Sequence, residues 1–376
     1  MNLALSDEQE FLREAARGAL SRVKTIEGAR EALEGGTLPD LWPTVVEAGW
    51  TGLLIDEGHG GAGLSAFDAM LVAQECGRVL AGAPLLGLLP ASALLQAAGD
   101  EALEAVAAGE LRPAWLPARP PGDLVDGWTV DARAGKHRAP APRATVDGDA
   151  VTFTGEVAWV PDAPGADLLV VVGVDDAGVD DAGAPVVGAV EASEARIEPV
   201  TRYDATRSLA QVTLDGAAGR RLSVTDEQLA RAWYLAQTLL AAESLGAVEA
   251  TLEMAVQYAK ERFTFGRAIG SYQAIKHGLT EVLRRQENTR SLLYYAGWAF
   301  DDRPDEFALA ASAARSAAGS ALDFASRQNI ITHGGIGATW EHDAPLFFRR
   351  AQLSRRLLGG AGDATDRVAA ELLAAA

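Results

Sequence analysis

The stretch YAKERFTFGRAIGSYQAIKHGLTE, residues 258–281, lies between two long segments whose apolar residues recur at helical spacing. Upstream, the periodic segment starts after Thr225 and runs to about Arg262. Thr225 followed three residues later by Gln228 is the signature of a capping box, in which a hydroxyl and an amide satisfy two otherwise unpaired backbone N–H groups. Downstream, the periodicity predicts helices near 273–301 and 305–332 and a last one near 363–375. Long apolar-faced helices joined by short connections read as a helical bundle over residues 223–376.

Moving toward the N-terminus, the texture changes. Residues 111–145 hold Pro113, Pro117, Pro120, Pro121, Pro140 and Pro142 and few helix signals. Short β-type runs follow: AVTFTGEVAWV, ADLLVVVGV, APVVGAVEA and AQVTLDG, separated by turn residues. No helical crossover intervenes, so residues 111–222 predict an antiparallel sheet or small barrel rather than a dinucleotide-binding βαβ unit. Residues 1–110 are helical again. Ser6 and Gln9 form a capping box, Phe11, Leu12, Ala15, Ala16 and Leu20 fall on one helical face, and further helices are predicted at 39–49, 65–79, 88–97 and 101–108. The glycine cluster GHGGAGLS at 58–65 lacks the strand-to-helix context and Lys-Ser/Thr of a phosphate loop and reads as a turn. The expected fold is α+β and multidomain, in the order helices, sheet, helical bundle.

Bulk properties narrow the function. With 376 residues the chain is long enough for two or three domains. A formal charge of -19 argues against non-specific nucleic-acid binding. A lone cysteine, Cys76, forms no disulfide within the chain and is expected to pack as a small apolar group. The five histidines show no metal-ligand spacing, so no metal site is expected. The N-terminus lacks the basic start and apolar run of a signal peptide, and no stretch has 18 consecutive apolar residues; a cytoplasmic protein without a membrane span is the expectation.

The opening stretch and a second segment, THGGIGATWEHDAPLFFRRA at 332–351, together with the helix–sheet–helix order, resemble the acyl-CoA dehydrogenases over essentially the whole chain. The resemblance implies α,β-desaturation of an acyl-CoA thioester. A carboxylate takes the α proton, FAD accepts the β hydride, and an electron-transfer flavoprotein or similar acceptor reoxidises the flavin. In that family an Arg-x-Thr-Phe-Gly segment reaches across a subunit interface to the ADP half of the neighbour's FAD. Carried over, Arg262 and Thr264 suit pyrophosphate oxygens, Phe265 packs near the adenosine, Gln273 matches the glutamine that follows, and Gly334, Gly335 and Gly337 allow close backbone approach. Arg262 also suits the negative end of a helix dipole without any ligand.

Three departures bear on the chemistry. Ile331 stands where the family usually has a pyrophosphate-binding glutamine. The ring-binding segments are replaced by PAWLPARPPGDLVDG and by VAWVPDAPGADLLVV, where Trp159 is the one aromatic stand-in and reads as a sheet-packing residue. The two positions at which the family keeps its catalytic glutamate are Leu358 and Ala236. Glu243, seven residues after Ala236 on the same helical face, is the fallback base. It would sit about 10 Å along the axis at 1.5 Å rise per residue, beyond reach of the same proton. This pattern resembles the partner subunits of bacterial α2β2 heterotetrameric acyl-CoA dehydrogenases, in which the other chain supplies the base, and which often act on bulky acyl-CoAs including steroid side chains. The alternatives are a self-sufficient homotetramer using a displaced base such as Glu243, and a non-catalytic structural or binding member of the fold.

Overall fold

The computed structural model describes residues 4–120, 140–176, 183–200 and 203–374. The PGDLVDG part of the first ring-binding segment lies outside them.

The first unit comprises α1 (Asp7–Leu20), α2 (Thr25–Leu33), α3 (Trp42–Glu47), α4 (Ala66–Arg78), α5 (Leu85–Ala98) and α6 (Leu103–Ala107). Ser6 caps α1 with Gln9 returning the bond, and Ser65 and Asp68 do the same for α4. The run expected as one helix over 39–49 is shorter, because Gly49 turns left-handed at φ 70 and a 3-10 turn, Trp50–Gly52, takes over. α2 has no counterpart in the sequence expectation. It lacks a side-chain cap and contains Gly28, where a Cβ would come within 2.5 Å of Pro39, so its place depends on a contact that spacing does not reveal.

The middle unit is a seven-stranded sheet of β1 (Pro113–Trp115), β2 (Arg143–Asp147), β3 (Ala150–Pro161), β4 (Leu168–Asp175), β5 (Pro185–Glu191), β6 (Ala195–Pro199) and β7 (Leu209–Leu222). The pairings β4–β2, β2–β3, β3–β7, β7–β5 and β5–β4 close a ring, which makes the sheet a small barrel. Most pairs are antiparallel. The short β1 and the first two residues of β2 instead run parallel to β4. Phe153, Val157, Val160, Leu169, Val171 and Val212 fill the interior. An irregularity between Val157 and Val160 coincides with Trp159, whose φ is 61.

The last unit contains α7 (Asp226–Glu261), α8 (Gln273–Asp302), α9 (Pro304–His333), α10 (Ala344–Ser354) and α11 (Gly360–Ala374). The Thr225–Gln228 capping box starts α7, whose 36 residues reach about 54 Å. Its middle is buried on every face, since α4, α5, α8, α9 and α10 all pack on it. α4 and α7 touch backbone to backbone. A Cβ on Gly77 would lie 1.9 Å from the Glu243 carbonyl oxygen, and one on Gly246 would lie 1.8 Å from that of Gln74. One apolar cluster runs through the first unit, the outer face of the barrel and the bundle. Among the described residues no helix is long and apolar enough to cross a membrane.

Candidate functional site

The two positions matched to the family's base, Leu358 and Ala236, meet in one place. Leu358 follows α10, is 1% exposed and has φ 52. Ala236 of α7 is 0% exposed and belongs to the same apolar cluster. The next residue, Gln237, donates from Nε2 to the Leu358 carbonyl at 3.2 Å. Around them, Trp115 and Trp233 meet edge to face with ring centroids 6.4 Å apart. The indole of Trp233 lies so close to Gly359 that a Cβ there would sit 3.3 Å from its Cζ2. Arg315, buried on α9, donates to the carbonyls of Ser354 and, at 3.1 Å, Leu357. Its pKa is pushed down to about 10 by burial. The side chain of Trp159 at the end of β3 is partly buried against the same cluster. Leu358 and Ala236 are both packed in hydrocarbon.

Glu243 is also buried, 3% exposed, in a charged cluster that joins all three units. Its carboxylate accepts from Arg207 of the β6–β7 connection and lies 3.6 Å from Arg350 Nη1 of α10. Arg350 donates to Thr206 Oγ1 at 2.6 Å and to the carbonyl of Leu80, beyond α4, at 3.1 Å, and its Nε is 3.4 Å from Asp204. Burial opposes the charge of Arg207, but Glu243, Asp162 and Asp204 outweigh it and hold its pKa above the ordinary arginine value. Burial, with Arg207 beside it, lowers that of Arg350. A general base needs a lone pair open to substrate. That of Glu243 faces two guanidinium groups instead.

The residues matched to the FAD-contacting motif lie at one end of the bundle. Arg262 is the C-cap of α7, Thr264 and Phe265 project from the turn after it, and Gln273 opens α8. Phe265 is 93% exposed with φ 50. Tyr272 donates to the Thr264 carbonyl at 3.3 Å and carries the Arg267 guanidinium 4.1 Å above its ring. The glycine segment reaches the same end because Tyr258, one turn before Arg262, stacks on His333 with centroids 4.3 Å apart. A Cβ on Gly334 or Gly335 would meet nothing within 4 Å, whereas one on Gly337 would strike His333 at 2.6 Å. Gly334 and Gly335 therefore present open backbone, while Gly337 serves packing. Arg30 of α2 holds the segment by donating to the carbonyls of Trp340 and Glu341 and to Asp343. Of the large apolar side chains left exposed among the described residues, Phe263, Phe265, Ile331, Ile336 and Trp340 share this end.

Sequence reasoning missed the buried charges. Arg207, Asp204, Asp162 and Arg350 fall in runs no different from surface loops and helix faces. Arg315 carried a usable signal: it is the one charged residue in ALAASAARSAAGSAL. Cys76 is buried, and burial raises its thiol pKa. Among the described residues no group of three or more His, Cys, Asp or Glu could hold a metal ion.

Residues 6–118 match the acyl-CoA dehydrogenase N-terminal domain family, and residues 231–373 match the acyl-CoA dehydrogenase C-terminal domain family. The chain belongs to the acyl-CoA dehydrogenase family. It is similar to acyl-CoA dehydrogenase IpdE2 of Mycolicibacterium smegmatis, 30% identical over 375 residues that span 98% of this chain and 100% of that one. Among solved structures it is similar to a variant of the Tcur3481-Tcur3483 steroid ACAD, at 26% identity, a TM-score of 0.83 and 98% coverage of both chains. Its fold also matches the ChsE4-ChsE5 complex from Mycobacterium tuberculosis, at 23% identity, a TM-score of 0.84 and 99% coverage of both chains.

FAD is the cofactor that comes with this family, and the residues of this chain fit it unevenly. The place beside Leu358 and Ala236 is lined by the buried side chains of Trp115, Trp233 and Leu357. The end carrying Arg262, Thr264 and open glycine backbone has free donors and room for a phosphate-bearing ligand.

Proposed function

We propose that this chain is the non-flavinylated partner subunit of a heteromeric acyl-CoA dehydrogenase, completing the FAD site of a catalytic subunit in an α2β2 assembly. The observation that carries this reading is the contrast between a base-and-ring region closed by buried Leu358, Ala236, Trp115 and Trp233 and a cofactor-facing end left exposed. Bound FAD supplies hydride acceptance in the partner. This chain's residues bind and orient it. Arg262 and Thr264 hold pyrophosphate oxygens, Phe265 covers the adenosine, Gln273 adds a polar contact, and Gly334 and Gly335 let backbone approach, with Gly337 supporting the turn from behind. The base and the acyl-CoA pocket belong to the catalytic subunit, and an electron-transfer flavoprotein or similar acceptor takes the electrons. The two solved relatives, one named as a steroid ACAD and both named as pairs of chains, favour a bulky, steroid-like acyl group and a heteromer.

The test is the flavin spectrum of the chain expressed alone and with a catalytic dehydrogenase subunit. A colourless chain alone and a yellow, active complex are expected. A yellow chain that turns over acyl-CoA without a partner overturns the reading.

A further inference from the structure

A cavity of about 460 Å³ opens between the α2–α3 connection, the end of α4, the β3–β4 connection and the β6–β7 connection. That volume is within the range of small-molecule sites. Neither Ala236 nor Leu358 lines it, nor does any residue of the Arg262 end.

Its wall carries two marks of a built site. First, Leu80 and Asp162, both non-glycine, are held in the left-handed region at φ 52 and 65. The surroundings enforce this: Arg350 grips the Leu80 carbonyl at 3.1 Å, and the Gly87 N–H donates to Asp162 Oδ2 at 2.9 Å. Such conformations persist where the fold over-determines them, often at ligand sites. Second, buried polar atoms of lining residues lack a hydrogen-bond partner: Asp204 Oδ2, Arg207 Nε and Nη1, and Arg112 Nε. Native interiors seldom leave such atoms unsatisfied.

The charge of the wall selects the ligand. Arg112 already pairs with Asp40 at 3.0 Å, and Arg207 pairs with Glu243. Asp204 lies 3.4 Å from Arg350, and burial pushes the Asp162 carboxyl up to about 6. No lining charge lacks an opposite neighbour, so an ion entering would lose its water and find no free counter-charge. The lining also carries the neutral hydroxyls of Thr37 and Ser208, each able to donate to a hydroxyl or carbonyl oxygen or to accept from a hydroxyl. Leu38, Leu80, Pro164, Val200 and Leu209 supply apolar wall.

We infer that this cavity binds a neutral amphiphile, a compact apolar body carrying a hydroxyl or carbonyl oxygen. The inference is independent of the partner-subunit reading, since it needs no flavin and no second chain.

The experiment titrates the full chain with three probes that share one bicyclic body: 2-naphthylmethanol, 2-naphthoate and 2-naphthylmethylammonium. Binding is followed by calorimetry. The alcohol is expected to bind with a dissociation constant below about 1 mM and each ion at least about tenfold more weakly. Ser208→Phe, at a lining position whose backbone carbonyl accepts from Asp162, is expected to fill the cavity and abolish binding. Ala205→Phe tests the same point from a neighbouring position. Equal or tighter binding of either ion overturns the neutral-ligand class. Absence of alcohol binding, or binding unchanged in a folded filled variant, overturns the site. Should neither variant fold, the order of the three probes on the wild-type chain still decides.

Discussion

Glu243→Gln separates a buried structural anchor from a displaced catalytic base. The substitution keeps size and one acceptor oxygen but removes the negative charge between Arg207 and Arg350, whose side chains are essentially buried. Breaking a buried ion pair by neutralising one partner costs about 3–5 kcal/mol, because the surviving charge stays desolvated. Asp162 and Asp204 still face Arg207, and Asp204 still faces Arg350, so the loss should fall near the low end, about 3 kcal/mol. The check is the urea midpoint of the isolated chain, read beside flavin content and turnover of the assembled complex. The expected result is a clearly lowered midpoint with turnover per bound flavin within about twofold of wild type, since a lost general base would cost on the order of 10²–10⁴. Adding Arg207→Gln should recover part of the stability, as removing both members of a buried pair costs less than removing one. Turnover falling by two or more decades at an unchanged midpoint would refute the reasoning and make Glu243 the base.

Three further outcomes follow from the geometry. Arg262→Ala should lower the flavin content of the complex while leaving the unfolding free energy of the isolated chain within about 0.5 kcal/mol, as its side chain is exposed at a helix end; normal flavin content would remove it from the cofactor site. Leu358→Glu should yield an unstable chain without dehydrogenase activity, because a carboxylate there enters a packed core costing several kcal/mol; a folded, yellow, active product would show the site to be open after all. Asp162→Asn should stabilise the chain at pH 7–8 by at most about 3 kcal/mol. The sign follows from burial raising this carboxyl from 3.8 to about 6, so that the folded state holds the proton more tightly and the wild type loses stability as pH rises through that window. The advantage of the variant should vanish below about pH 4. Denaturation midpoints across pH that run parallel for the two chains would remove Asp162 as the cause.

The order of helices, strands and bundle was legible from local signals. Capping boxes at Ser6 and Thr225 act over three residues, and the periodicity of α7, α8 and α9 repeats over many turns, so a single sequence suffices to read them. The absence of a carboxylate at Leu358 and Ala236 was equally legible, since it is a matter of residue identity. What those positions do instead was not. That Leu358, Ala236, Trp115 and Trp233 converge into one closed core is a fact about segments remote in sequence, and it depends on how α7, α10 and β1 pack. The same holds for α2, whose Gly28 makes sense only against Pro39, and for Glu243, whose pairing with Arg207 and Arg350 no local signal announces. Local hydrogen bonding and hydrophobic period are written along the chain and determine its elements. Burial, ion pairing and the closure of a cavity depend on which distant groups come within a few ångströms, and only the tertiary structure decides that.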